Sequence, residues 1–557
     1  MKVKTSILLA AVTMLFIFTN CKKNESPQNS EQEKMQKKIS QFVEVEVKYD
    51  ESILDDNQKI IVKKLYEASK IIDEIFLEQV YSKNFEIKKE LEASSNPVDK
   101  LKLKYFEIMF GPFDRLDHNT PFYGTEKKPL GANFYPADMT KEEFEKWVTA
   151  HPENAKELTS EFTIIKRENN NLVAVPYNVA YKTQLEKAAK LLEEAATYAE
   201  NKTLKNYLLT RAKAFLTNDY YESDVAWMDL KNHVIEVVIG PYEVYEDEMF
   251  NYKASFESFL TIVDPIETEK LSIFEKYLPA IEENLPLAKE YKGYKRGAES
   301  PVYVVQAVFG AGDNKSGVQT LAFNLPNDER VRQAKGSKKV MLKNMHQAKF
   351  DKLLIPIAEI VLEPEELKYV TFDGFFNHTL MHEISHGVGP GMITVNGKQT
   401  EVKKELKETY SKIEECKADV LGMFNNILMI EKGVYPKGFD KEVWVTFLAG
   451  IFRSVRFGIS EAHGSGNAII YNYILEKGGF EYNEKTQKVK VNFDKIYPAV
   501  KDLAETILII QAKGDYKASL DLVNKYAVET PSMKVLRQNL SSLPIDVKPI
   551  FKIEKDM

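Results

Sequence analysis

The segment His382-Glu383-Ile384-Ser385-His386 sets two imidazoles four residues apart. On a helix that spacing puts both rings on one face, where they can converge on a single metal ion. Glu383 then lies beside the open metal position, placed to act as a base and not as a ligand. A chain with eight histidines can carry so short a pattern by accident, so a third ligand is required. Glu414-Glu415-Cys416-Lys417-Ala418-Asp419 sets three acids on a stretch flanked by apolar residues. Glu415 follows His386 by 29 residues, enough for a reversing loop and an antiparallel helix that would bring the three side chains together. Two His and one Glu leave a fourth position for water. Glu414 and Asp419 can then accept from the outer N–H of the histidines and fix their tautomers. One zinc ion is the expected cofactor, although the affinity order of divalent metals makes geometry and supply decide its identity.

Helices must position these groups. Asp373 is expected to cap the histidine helix, and Gly387-Val388-Gly389-Pro390-Gly391 to end it. Leu406, Tyr410, Ile413, Val420, Phe424, Ile427 and Leu428 mark a long second helix that stops near Gly433. Nearly every segment from Phe350 to Ala512 has the 3.6-residue period, and Glu246 to Phe259 and Glu267 to Leu287 read as helical as well. The first half is mixed. Helical patterns over residues 41–110 and 183–216 surround a hairpin at Phe162 to Arg167 and Leu172 to Val175, and strands at His233 to Ile239 and Pro301 to Phe309. The expected fold is α+β and predominantly helical, with two lobes around a cleft. A mixed lobe with a small β-sheet or barrel would take residues 39–245, with 300–349 and about 525–557 returning to it. A helical zinc-binding lobe would take 246–299 and 350–524, with Gly293 to Ser300 as a connection.

The acidic segment resembles the Glu-Glu-Cys-Arg-Ala-Glu signature of the dipeptidyl-peptidase III family of zinc exopeptidases. Most members carry one more residue between the metal histidines, so the present pentapeptide is similar to a minority branch. The resemblance implies Glu415 as third ligand, with Glu414 and Asp419 supporting the histidines. It also implies substrate-binding asparagines at Asn324 and Asn327, from Asn324-Leu325-Pro326-Asn327, and a carboxylate for the substrate's free amine at Glu236. A further active-site histidine is implied at His463, in Glu461-Ala462-His463. Family members place a tyrosine two residues after the amine-binding carboxylate; counted from Glu236 that position is Val238, with Tyr242 and Tyr245 nearby. The family's basic residues for the far end of the substrate find no clear counterpart. The implied activity is zinc-dependent release of dipeptides from the N-terminus of short peptides, with Glu383 as base and His463 assisting. The residues leave two alternatives open: a zinc- or peptide-binding lipoprotein with little turnover, or a zinc hydrolase acting on another amide.

Lys2 and Lys4 precede an apolar run from Ile7 to Phe18, too short for the ~20 residues that span a bilayer and typical of an export signal. Phe18-Thr19-Asn20-Cys21 resembles a bacterial lipoprotein cleavage site, which would make Cys21 the lipidated first residue of the mature chain. Residues 22–38, polar and charged, are expected to be a flexible tether. These features imply a bacterial cell-envelope protein anchored through its N-terminus, on the periplasmic or surface side; short peptides as partners are what the family resemblance implies. Cys416 is the only other cysteine, so stability must come from the core. A hydrophobic content of 44% over 557 residues suffices for that. The net charge of -7, with no basic stripe, argues against nucleic acid as a partner. The sequence leaves the oligomeric state open.

Overall fold

The computed structural model describes residues 27–292 and 301–557. The apolar leader, Cys21 and the connection expected at residues 293–300 lie outside them. Two large hydrophobic cores divide most of the described chain, one in a mixed lobe and one in a helical lobe, with two small satellite clusters beside the first.

The mixed lobe begins with α1 (Pro27–Ile39) and β1 (Phe42–Val47). Part of the expected tether is thus ordered: Met35 on α1 is buried against Tyr105, Ile108 and Met109, giving a polar helix one apolar anchor. Next comes α2 (Asp56–Val80), started by a reciprocal capping box between Asp55 and Gln58. Its stripe of Ile61, Leu65, Ala68, Ile72 and Ile75 is buried. Helices α3 (Lys182–Tyr198) and α4 (Lys202–Thr217) follow, and α3 packs on α2. Five strands form the main sheet of the lobe: β2 (Ile235–Glu243), β3 (Ser255–Val263), β4 (Val302–Gly312), β5 (Ala322–Leu325) and β6 (Lys338–Leu342).

The sheet order is β2-β3-β4-β6-β5, parallel only between β4 and β6. It stays open, with β5 at an edge, and no barrel closes. Ser255 to Phe259 were expected as the end of a helix, yet they open β3. All nine residues of that strand are buried, so neither face alternates with solvent and period two cannot be read from the sequence. Near its end β2 slips register against β3 between Pro241 and Glu243. Such a bulge bends a strand and re-aims the residues beyond it.

The helical lobe consists chiefly of α5 (Pro265–Asn284), α6 (Phe372–His386), α7 (Tyr410–Glu431), α8 (Phe439–Ser454), α9 (Ala462–Glu476) and α10 (Ile496–Lys513). Helix α7 is central, packing on α6, α8, α9 and α10. The chain then returns to the first lobe, where β7 (Asp546–Phe551) pairs in parallel with β1. Among the described residues no helix is long and apolar enough to cross a membrane.

Candidate active site

Helix α6 is capped by Thr371, whose Oγ1 accepts from the Gly374 N–H at 3.1 Å. The extended backbone of Thr371 favours it over the expected Asp373, which already lies inside the first turn. The helix ends at Gly387, as the sequence indicates. Two glycines let its neighbours come close. A Cβ at Gly422 of α7 would lie 3.1 Å from His378 Nε2 and 3.3 Å from the His382 nitrogen. A Cβ at Gly466 of α9 would lie 2.9 Å from the Cys416 nitrogen. These approaches draw α6, α7 and α9 around one point.

At that point His382 Nε2 and His386 Nε2 face each other at 3.1 Å. Glu415 Oε2 lies 3.4 Å from the first and 3.7 Å from the second. Ligand atoms bound tetrahedrally at about 2.0–2.2 Å stand roughly 3.3–3.6 Å apart, so the triangle suits one zinc-sized ion. The outer nitrogens are committed: His382 Nδ1 donates to Asp419 Oδ1 at 2.7 Å and His386 Nδ1 to Glu414 Oε1 at 3.0 Å. Those partners assign the tautomers and leave both Nε2 lone pairs pointing inward, an arrangement that a cation stabilises. Glu415 Oε2 is enclosed and accepts no well-directed hydrogen bond, although His463 Nδ1 lies 2.9 Å from it. His382, His386 and Glu415 therefore form a group that can hold a metal ion.

The supporting acids are themselves held. Burial opposes their ionisation, but Lys417 and His386 bring Glu414 down to about 2, and His382 brings Asp419 down to about 2. Gln511 donates to Glu414 at 2.8 Å and Asn467 to Asp419 at 2.9 Å. His378, one turn before His382, packs against Phe447 with its ring tilted and pairs with the Asp419 carbonyl. Burial lowers it to about 4, which makes it a neutral packing group. Cys416 is fully buried and its thiol is pushed up by that burial, so it is no nucleophile.

A cavity of about 480 Å³ opens beside this cluster. His382, Glu383 and His463 line one part of it, α8 forms a wall, and residues 318–322, which lead into β5, face them from the mixed lobe. Lys339 links the lobes. It pairs across from Asn324 in the sheet, and its Nζ donates to the backbone carbonyl of Glu383.

Glu236 is not at this cleft. Its carboxylate is fully buried and occupied by Trp227 Nε1, His233 Nε2 at 2.5 Å and Lys338 Nζ at 3.2 Å. Burial works against it, yet Lys338 and His233 hold it ionised, down to about 2. A side chain so committed is part of the core of the lobe, and Val238 is buried there as well. The carboxylate that meets the asparagines is Glu243, beyond the bulge of β2. Asn327 Nδ2 donates to Glu243 Oε1 at 3.3 Å and to the Tyr242 carbonyl at 3.1 Å. Asn324 and Asn327 are both exposed on and just after the edge strand. Two residues after Glu243 comes Tyr245, exposed, with its hydroxyl raised first by Glu243 and also by Glu415 across the cleft. The Glu-x-Tyr spacing sought around Glu236 is thus met by Glu243-Val244-Tyr245. The sequence signal was present, but two glutamates preceded candidate positions on one strand, and only the bulge separates the buried one from the presented one.

A sequence profile of Peptidase family M49 matches residues 128–399. The structure of DPP III from Caldithrix abyssi is similar over 94% of this chain and 99% of that one, at 64% identity and a TM-score of 0.93. Dipeptidyl-peptidase III from Corallococcus sp. strain EGB is similar over 94% and 98%, at 42% identity and a TM-score of 0.82. In sequence, the protein named Nudix hydrolase 3 of Arabidopsis thaliana is 39% identical over 93% of this chain and 74% of its own length. Dipeptidyl peptidase 3 of Nematostella vectensis is 22% identical, and the matched region spans 47% of that protein.

Proposed function

The chain belongs to the dipeptidyl-peptidase III family of peptidases, and from that premise we propose that it is a zinc-dependent exopeptidase releasing dipeptides from the N-terminus of short peptides. The observation that carries this reading is the pair of inward-facing Nε2 atoms with Glu415 beside them and Glu383 at the edge of the same cavity. When bound by His382, His386 and Glu415, zinc supplies a Lewis acid that lowers the pKa of water toward ~7 and polarises a carbonyl.

This chain's own groups do the rest. Glu383 takes the proton of the attacking water and hands it to the leaving amine. Tyr245 and His463, from opposite sides of the cleft, donate to the oxyanion as it develops. Glu243 meets the substrate ammonium, and Asn324 and Asn327 bond its backbone. Strand β5 has a free edge, to which an extended peptide can add as a further strand. With its ammonium at the Asn327 end, the peptide runs antiparallel to β5. Two extended residues span about 7 Å, which fixes the cut after the second. Glu236 serves the fold instead of the substrate.

The test is turnover of dipeptidyl-naphthylamides and short peptides by metal-loaded protein, with mass analysis of the products. Products in two-residue steps, lost on chelation and restored by zinc, support the reading; metal-loaded protein that releases no dipeptide sinks it. The envelope location is a separate proposal, resting on Lys2, the apolar run and Cys21. Loss of palmitate labelling in Cys21→Ala is its expected outcome.

A further inference from the structure

The end of β2 that presents Glu243 is weakly secured by the sheet itself. Pro241 has no N–H to give the ladder, and the register slips between Pro241 and Glu243. Among the described residues the Glu243 carboxylate has a single hydrogen-bond partner, Asn327 at 3.3 Å. Behind it lies a buried ion pair. Arg211 of α4, fully buried, donates from Nη2 to Oδ1 of Asp224, which a short helix at Tyr221–Met228 carries. Three tyrosine rings enclose the guanidinium, Tyr220 at 5.3 Å, Tyr242 at 5.5 Å and Tyr207 at 5.6 Å. Its Nη1 packs on the backbone of Gly240, where φ is +151° and a Cβ would lie 2.6 Å from that nitrogen. The Tyr242 hydroxyl lies 3.5 Å from Asp224 Oδ1, and the Tyr242 carbonyl accepts from Asn327 Nδ2 at 3.1 Å. Tyr242 is thus held at both ends, by the ion pair through its ring and by a substrate-binding asparagine through its carbonyl.

Stability alone does not call for this pair. Two apolar side chains of similar volume would fill the space at equal or better stability, because they carry no desolvation penalty. What the pair supplies is fixed geometry: a planar guanidinium bonded to one carboxylate and stacked among rings has one orientation. We propose that Arg211, with Asp224, is a positioning residue for the amine site. It holds the Gly240 backbone and the Tyr242 ring on either side of Pro241, and so sets where Glu243 and Asn327 stand. It touches no substrate. The inference rests on the assignment of amine binding to Glu243 above. Lys338 and Glu236 supply the contrast within the same lobe: an equally buried pair, earlier on β2, that makes no hydrogen bond to Tyr242, Glu243 or Asn327 among the described residues.

The test reads amine recognition without turnover. Zinc-loaded Glu383→Ala protein is titrated by calorimetry with a tetrapeptide and with its des-amino analogue, and the ratio of the two affinities is compared among variants. In that parent protein the free amine is favoured by roughly 10- to 100-fold, as a charged contact implies. Arg211→Met lowers the ratio by roughly 3- to 30-fold, within the span of couplings inside one contact network, and Arg211→Lys restores part of it. Added to Glu243→Gln, Arg211→Met changes the ratio no further, because the contact it places is already gone. Arg211→Met combined with Asp224→Leu strands no charge, so it recovers the unfolding midpoint while the ratio stays low; a pair that served stability alone would recover both. Glu236→Gln, which strands a charge in the same lobe, leaves the ratio at its parent value. A ratio that survives in the folded apolar pair, full additivity with Glu243→Gln, or an equal loss in Glu236→Gln overturns the proposal. So does a parent ratio near one, since Glu243 then has no amine to meet. Absence of dipeptide release by the unsubstituted protein would count against the peptidase reading, and the binding ratio decides on Arg211.

Discussion

The two sides of the cleft are built in different ways. On the helical side every group sits within a turn or two of continuous helix: His382, Glu383 and His386 on α6, Glu414, Glu415 and Asp419 on α7, and His463 in the first turn of α9. On the sheet side the groups come from a bulged strand end, an edge strand and the turn after it. Helical spacing is a local rule, so ligands and their supporting acids are fixed by sequence distance alone. Register in a sheet is set by partners far away in the chain, and one extra residue changes which side chain is presented. Glu236 and Glu243 show the consequence: two glutamates of one strand, one sealed with Lys338 and the other facing Asn327.

Substitutions can break this contrast, and the largest effect belongs to the helical side. Glu383→Ala should lower kcat by about 10²–10⁴-fold, the usual worth of a positioned general base. Elemental analysis should find the zinc retained, because Glu383 is no ligand; loss of the metal would remove the distinction between base and ligand on α6. On the sheet side Tyr245→Phe should lower kcat by roughly 10²–10³-fold, as for one oxyanion donor, with little change in KM. If Tyr245→Phe is silent, the pairing of Glu243 with Tyr245 loses its support.

The two glutamates should separate cleanly. Glu243→Gln should raise KM roughly 10- to 100-fold through the lost charged contact to the substrate amine, with the unfolding midpoint unchanged. Glu236→Gln should do the reverse. It leaves Lys338 buried without its counter-charge, a loss of about 3–5 kcal/mol visible in denaturant melts, while KM of the folded fraction stays near wild type. Exchanged outcomes would return Glu236 to the substrate site.

How much of this was legible follows from the same contrast. His382, His386, Glu415, Glu414 and Asp419 could be assigned from spacing, because two helices crossing at close range carry one register each. The close approach itself depends on Gly422 and Gly466, which spacing does not reveal. Strand β3 was hidden by its burial on both faces, and α1 by a composition in which Met35 is the one fully buried apolar residue. Glu243 was hidden by the bulge.

The smallest effect is also the sharpest test of the division, because the acids of the two sides titrate in different ranges. Glu414 and Asp419, both held at about 2 by their cationic neighbours, stay ionised throughout pH 6 to 8. Near Glu243, burial and the charge of Glu246 raise Asp313 to about 7, and burial and the charge of Glu243 also raise Glu257. As pH climbs through 7, Asp313 loses its proton and adds negative charge beside the amine site, so the substrate ammonium binds more tightly and KM falls. Above the peptide α-amine pKa of about 7.7–8.0 the ligand loses its own charge and KM rises again. The linked effect on folding has the opposite slope. An acid whose folded pKa is raised binds more protons folded than unfolded between its ordinary value of 3.8 and about 7, so its contribution to stability declines as pH rises across that window. Asp313→Asn should therefore flatten the acid limb of the KM profile by a few-fold and remove that decline. An unchanged acid limb in Asp313→Asn would remove Asp313 from the groups whose charge assists amine binding at the bulged end of β2.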